Sequence, residues 1–175
     1  MTVRAYDSAV TLLPLFVGWL VVGAVSAPPA DFSGRWASDP PAMSGGRGDM
    51  GSGWGTPITI TQDAQRLTVE YAFFGRGDLQ PPLKFVYALD GSETKNSLMM
   101  GRGVQVQSSK AVWNGDALVI TTVHTFVDPG SGKPATTEVK QTLSLESPTS
   151  LAVETTRAAV DGGPPNTTKT IYKKI

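Results

Sequence analysis

The stretch "VQVQSSKAVWNGDALVITTVHTFV", Val104 to Val127, holds two long runs divided by Asn114-Gly115. In the second run Leu118, Ile120, Thr122 and His124 fall on one face at a spacing of two, the repeat of a half-buried strand rather than of an amphipathic helix. Asn-Gly accepts the positive φ angles of a type I′ turn, so the two runs are predicted to form a β-hairpin turning at Asn114-Gly115.

The same period extends outward in both directions. "PITITQ" sets Ile58 and Ile60 against Thr59 and Thr61, and "RLTVEYAFF" sets Leu67, Val69, Tyr71 and Phe73 against Thr68, Glu70, Ala72 and Phe74. "LKFVYALDG" continues with Leu83, Phe85, Tyr87 and Leu89, and its Asp90-Gly91 turn leads into "SETKNSLMM" as the partner strand. Downstream, "TTEVKQTLSL" places Val139, Gln141, Leu143 and Leu145 on one face, and "SLAVETTRAA" and "TTKTIYKKI" complete the series. No run carries a useful helical period. The prediction is all-β: about 8–10 antiparallel strands in an up-and-down meander. Closing such a meander into a barrel removes its two exposed edges, which favours a β-barrel, with a β-sandwich as the alternative.

Composition narrows the setting. The chain has 175 residues, equal numbers of basic and acidic side chains (15 each) and no cysteine. Zero net charge gives no reason to expect nucleic acid or a polybasic membrane contact. Without cysteine there is no disulfide, no thiolate metal site and no cysteine nucleophile. The opening "MTVRAYDSAVTLLPLFVGWLVVGAVSAPPA" has Arg4 before an apolar stretch from about Ala9 to Val25 and ends in Val25-Ser26-Ala27. That is the layout of a signal peptide over 1–27, and it predicts export to the periplasm or the medium. Residues 28–175 then form a single domain with a Gly-rich loop at 40–56.

Two ends of that domain carry a resemblance. "DFSGRWASD", with Gly34-Arg35-Trp36, resembles the first strand of the calycin superfamily, the lipocalins and fatty-acid-binding proteins, and the likeness implies that Trp36 is a structural plug at one end of the barrel. "TKTIYKKI" is similar to the terminal strand of fatty-acid-binding proteins, in which an Arg-x-Tyr grips a carboxylate. Tyr172 matches the Tyr, but Thr170 stands in place of the Arg, so the clamp does not carry over. Where those proteins have a helix pair after the first strand, this chain has the Gly- and Pro-rich "PPAMSGGRGDMGSGWGTP", which cannot form one. Exported bacterial lipocalin-like proteins are the general match.

The candidate sites follow from this frame. "GRGD" occurs at Gly46 to Asp49 and Gly75 to Asp78, but a third Gly-Arg-Gly at Gly101 lacks the Asp, and all three fall between strands. They read as turn chemistry, not as adhesion motifs. Trp54 is a large aromatic in the Gly-rich loop, expected either to cap the core or to lie over a barrel mouth. His124 is the only histidine. With no second ligand it reads as a hydrogen-bonded barrel residue, and no metal or cofactor is expected. No Gly-x-Ser-x-Gly elbow or carboxylate pair points to catalysis. Arg157 alternates with Leu151, Val153 and Thr155, and an inward guanidinium needs an anion, from a ligand or from the protein.

Trp54, Tyr71, Phe73, Phe85, Tyr87, His124, Gln141, Arg157 and Tyr172 are therefore the candidate ligand-binding residues. The expected function is enclosure of a small apolar or amphipathic molecule. The alternative is an interaction module whose interior is filled by its own side chains and whose loops contact a partner.

Overall fold

In the computed structural model the described residues are 29–38, 53–71, 82–100, 103–127, 131–158 and 163–175. They form ten strands: β1 (Gly34–Ser38), β2 (Ile58–Gln62), β3 (Arg66–Tyr71), β4 (Leu83–Ala88), β5 (Thr94–Met100), β6 (Gly103–Asn114), β7 (Ala117–Val127), β8 (Pro134–Ser147), β9 (Ser150–Arg157) and β10 (Asn166–Lys174). All belong to one antiparallel sheet in the order β4-β3-β2-β1-β10-β9-β8-β7-β6-β5. The sheet curls into a nearly closed up-and-down barrel in which the first and last strands pair, Trp36 opposite Lys174 and Ser38 opposite Tyr172. The β-sandwich alternative is excluded, because there is one sheet and not two.

Alternation sorts the side chains as the sequence pattern requires. Ile58, Ile60, Leu67, Val69, Phe85, Tyr87, Leu118, Ile120, Leu143, Leu151 and Val153 are buried and pack in one cluster. Each such side chain removed from water contributes about 1.5–3 kcal/mol.

Two expectations need correction. The turn between β6 and β7 lies one residue later than predicted: Asn114 stays in the ladder opposite Ala117, leaving Gly115-Asp116 as the two-residue loop. Gly115 has φ +60° and, among the described residues, no non-glycine residue has a positive φ, which puts the glycine at the first central position, as in a type II′ rather than a type I′ turn. Register decides this. Pairing Asn114 with Ala117 sets Trp113 opposite Leu118 and Ala111 opposite Ile120, whereas a two-residue turn at Asn114-Gly115 would set Trp113 opposite Asp116 and shift every inward pair by two residues.

The second correction concerns β5, predicted as the hairpin partner of β4. It pairs with β6 instead, and β4 and β5 are the two ends of the sheet. The seam between them is bridged by a side chain. Asn96, 5% exposed, accepts a hydrogen bond from the Val86 N–H (2.7 Å) through Oδ1 and donates one to the Val86 carbonyl (3.1 Å) through Nδ2. Its amide takes the place of a peptide in the missing ladder, so the two strands stand a side chain apart.

An up-and-down order puts alternate connections at opposite ends of the barrel. At one end lie 63–65, 89–93, 115–116 and 148–149, all short; the opposite end is where β1, β3, β5, β7 and β9 finish. The tight end is plugged. Trp36 is buried and its Nε1 donates to the Phe32 carbonyl (3.0 Å), Phe32 stacks on Trp113 (5.9 Å, 9°), and Lys174 Nζ lies 5.3 Å from the Trp36 ring. The Gln62 side chain holds this segment by accepting from the Phe32 N–H (3.0 Å) and donating to the Ala30 carbonyl (2.9 Å).

Candidate functional site

Inside the barrel two walls face one another. The first is aromatic and comes from β3 and β4: Tyr71 stacks on Phe85 (5.9 Å, 11°), and Phe85 on Tyr87 (6.4 Å, 8°). Their cross-strand alternation makes this ladder, since Val69 opposite Phe85 and Leu67 opposite Tyr87 put all of them on the inward face. Burial drives the Tyr71 hydroxyl up to about 12 and the Tyr87 hydroxyl higher still, so both stay protonated and serve as neutral hydrogen-bonding groups.

The second wall is polar and comes from β6 to β9. Gln107, Ser109, Thr122, Gln141 and Thr155 are all buried. Ladder pairing brings them together: Gln107 opposite His124, Ser109 opposite Thr122, Gln141 opposite Thr155, and Val139 opposite Arg157. Ser109 and Thr122 share a hydrogen bond of 2.8 Å. Thr155 is fully buried, and its hydroxyl has no partner among the described residues. His124 is half-buried. Burial first, and then the charge of Arg157, hold its imidazole below the ordinary value, so it is neutral at neutral pH.

Between the walls runs the chain itself. Residues 53–56, the end of the Gly-rich loop, enter the barrel, and Trp54 is 4% exposed. Its ring lies 6.4 Å from Tyr87 at 48°, and its indole N–H, the only polar hydrogen it has, donates to the Tyr87 hydroxyl. The Tyr172 hydroxyl reaches the carbonyls of Trp54 (3.4 Å) and Gly55 (3.2 Å), and the Tyr71 hydroxyl that of Gly53 (3.5 Å). On the polar side, a β-carbon at Gly53 would stand 3.5 Å from Gln141 Nε2 and 3.7 Å from Arg157 Nη2.

The structure thus brings Trp54, Tyr71, Phe85, Tyr87, Gln141, Arg157 and Tyr172 around one segment, with His124 beside Arg157. Trp54 packs in the core and does not lie over a mouth. Phe73, the Gly-rich loop before Gly53, the two Arg-Gly-Asp tripeptides and the signal segment lie outside the described residues. Sequence reasoning missed Gln107, Ser109 and Asn96. The alternation Gln107, Ser109, Ala111, Trp113 on β6 carried the first two, whereas nothing local marks Asn96 as a bridge across the seam.

A separate recess of about 280 Å³ opens at the tight end, lined by residues that include Asp31, Asp63, Leu89 and Trp113. Its carboxylates serve local turns: Asp31 accepts from the Ser33 N–H (2.9 Å), and Asp63 from those of Gln65 and Arg66 (both 2.7 Å). The Ser33 hydroxyl and then its N–H hold Asp31, and the Gln65 and Arg66 N–H groups hold Asp63, below the usual carboxylate range. Among the described residues no three His, Asp or Glu side chains gather to hold a metal ion. Comparison with protein families, with curated proteins and with solved structures returned no match.

Proposed function

We propose that this chain is an exported, calycin-like carrier whose barrel encloses a small amphipathic molecule between the aromatic and polar walls. Export rests on the signal-like layout of residues 1–27. One observation carries the binding reading: the Thr155 hydroxyl is fully buried on the polar wall without a partner among the described residues. Such a group costs about 1–3 kcal/mol, and a barrel shaped for packing alone would have a methyl group there. A guest that brings its own polar group removes the cost. Its apolar body would lie along Tyr71, Phe85 and Tyr87, and its head would meet Gln141, Thr155 and Arg157. An anionic head suits the guanidinium best.

A fluorescent fatty acid titrated into the protein is the test. Saturable binding is expected, weakened about tenfold in Arg157→Ala, since a charge-assisted hydrogen bond contributes about 1.5–3 kcal/mol. Thr155→Val should weaken binding while leaving the free protein as stable or up to about 1 kcal/mol more so, because a buried orphan hydroxyl is removed without changing shape. Absence of saturable binding up to about 100 µM would exclude this class of guest.

The second reading is an interaction module with a filled interior. Trp54 favours it, because the segment it belongs to already lies between the walls. On this reading the barrel's loops contact a protein partner.

A further inference from the structure

Residues 53–56 are held unlike the rest of the core. Strand residues reach the interior by side chain alone, with their peptides spent in the ladder. Here successive backbone units enter the barrel outside any strand, and three carbonyls meet tyrosine hydroxyls at 3.2–3.5 Å. Those distances are at or beyond the long end for O–H···O contacts, whose usual value is about 2.7–2.8 Å. At the margin of the segment Thr56 Oγ1 accepts from the Ser38 N–H at 2.9 Å. The segment is also fitted with no tolerance, since a β-carbon on Gly55 would stand 2.6 Å from Tyr71 Cδ2 and 3.1 Å from Cε2.

What the segment presents to the walls has a definite chemistry. It offers a flat ring to Tyr87, a ring N–H to the Tyr87 hydroxyl, and carbonyl oxygens to the hydroxyls of Tyr71 and Tyr172. The contacts made to it are those a guest would need. We propose that residues 53–56 are a resident occupant of the guest site, and that the guest exchanged for them is a flat aromatic molecule bearing a ring hydrogen-bond donor and a carbonyl on a short arm. This rests on the carrier reading and narrows it. The guest takes the place of the indole on Tyr87, its carbonyl takes up the tyrosine hydroxyls at normal length, and the expelled segment moves away from the tight end.

Indole-3-acetamide has these groups and is the probe, with 1-naphthaleneacetamide lacking the ring N–H and 3-methylindole lacking the carbonyl. Gly55→Ala is the releasing variant, because its methyl group cannot coexist with the Tyr71 ring where the segment now lies. By calorimetry, Gly55→Ala should bind indole-3-acetamide at least about tenfold more tightly than the wild type, as the fraction of open sites rises. The other two compounds should bind more weakly than the probe. Tyr87→Phe should weaken indole-3-acetamide and leave 1-naphthaleneacetamide unchanged. Equal or weaker probe binding in Gly55→Ala would show the segment to be a wall of the site and overturn the exchange. Should Gly55→Ala fail to fold, chymotrypsin cleavage after Trp54 in the wild type decides: the probe should accelerate it, and protection or no change overturns the proposal. Saturable fatty-acid binding with failure of these arms would sink the exchange alone, whereas failure of both would sink the carrier reading too.

Discussion

The two ends of the barrel are built from the same ten strands to opposite purposes. At the tight end, connections such as 115–116 and 148–149 are short, and Phe32, Trp36 and Trp113 fill the interior. Toward the opposite end the wall carries Gln141, Thr155, Arg157 and His124. Short loops with an apolar plug maximise burial and leave little chain to move. Inward polar groups give up packing stability for hydrogen-bonding capacity, which is what the proposed guest would use. The contrast teaches that the barrel's stability and its proposed chemistry are separable along its axis.

That separation can be broken most severely at Trp36. Trp36→Ala should cost about 3–5 kcal/mol in denaturant unfolding while leaving guest affinity in the folded protein close to wild type. A cost below about 1 kcal/mol would mean that Trp36 is no plug and that the tight end does not carry the stability. Next comes the seam, which belongs to neither end. Asn96→Ala removes both hydrogen bonds to Val86 and should cost about 1–3 kcal/mol, with faster hydrogen exchange at the Val86 amide. Unchanged exchange there would show that β4 and β5 hold together without the side-chain bridge.

The smallest effect is a pH signature that tells the ends apart. The folded value of His124 is held below 6.5, so the unfolded chain binds the proton more readily. Its contribution to stability is complete above the unfolded value and is lost as pH falls from there through the folded value. Asp31 and Asp63, at the tight end, are held below 3.8, so theirs is present above that value and lost only in more acid solution. Lowering pH from about 7.5 to about 5 should therefore reduce the denaturant midpoint slightly in the wild type and less in His124→Gln. An equal drop in both would place the titrating group elsewhere.

Most of the strand layout was legible because a strand's burial pattern is local. Ile58 with Ile60, Phe85 with Tyr87, and Leu143 with Gln141 declare a shared face two residues apart, and the structure turns each pair inward. Trp36, which the resemblance alone singled out, is buried. The site was legible only as a set of faces. Alternation says that Gln141 and Arg157 point inward, but not that they come close to Gly53, because that depends on how far the sheet curls and where the Gly-rich loop travels.

The sequence by itself determined that this chain is a meander of strands with an apolar inward face, since period-two patterning and turn residues act over a few neighbours. Only the tertiary structure decided the rest. Strand register moved the β6–β7 turn one residue past Asn114, because the cross-strand pairs Trp113 with Leu118 and Ala111 with Ile120 outweigh the preference of a single dipeptide. Barrel closure placed the seam at Asn96, and the space left between an aromatic and a polar wall drew Trp54 inside. These are long-range contacts between residues that are far apart in the chain, and no local pattern encodes them.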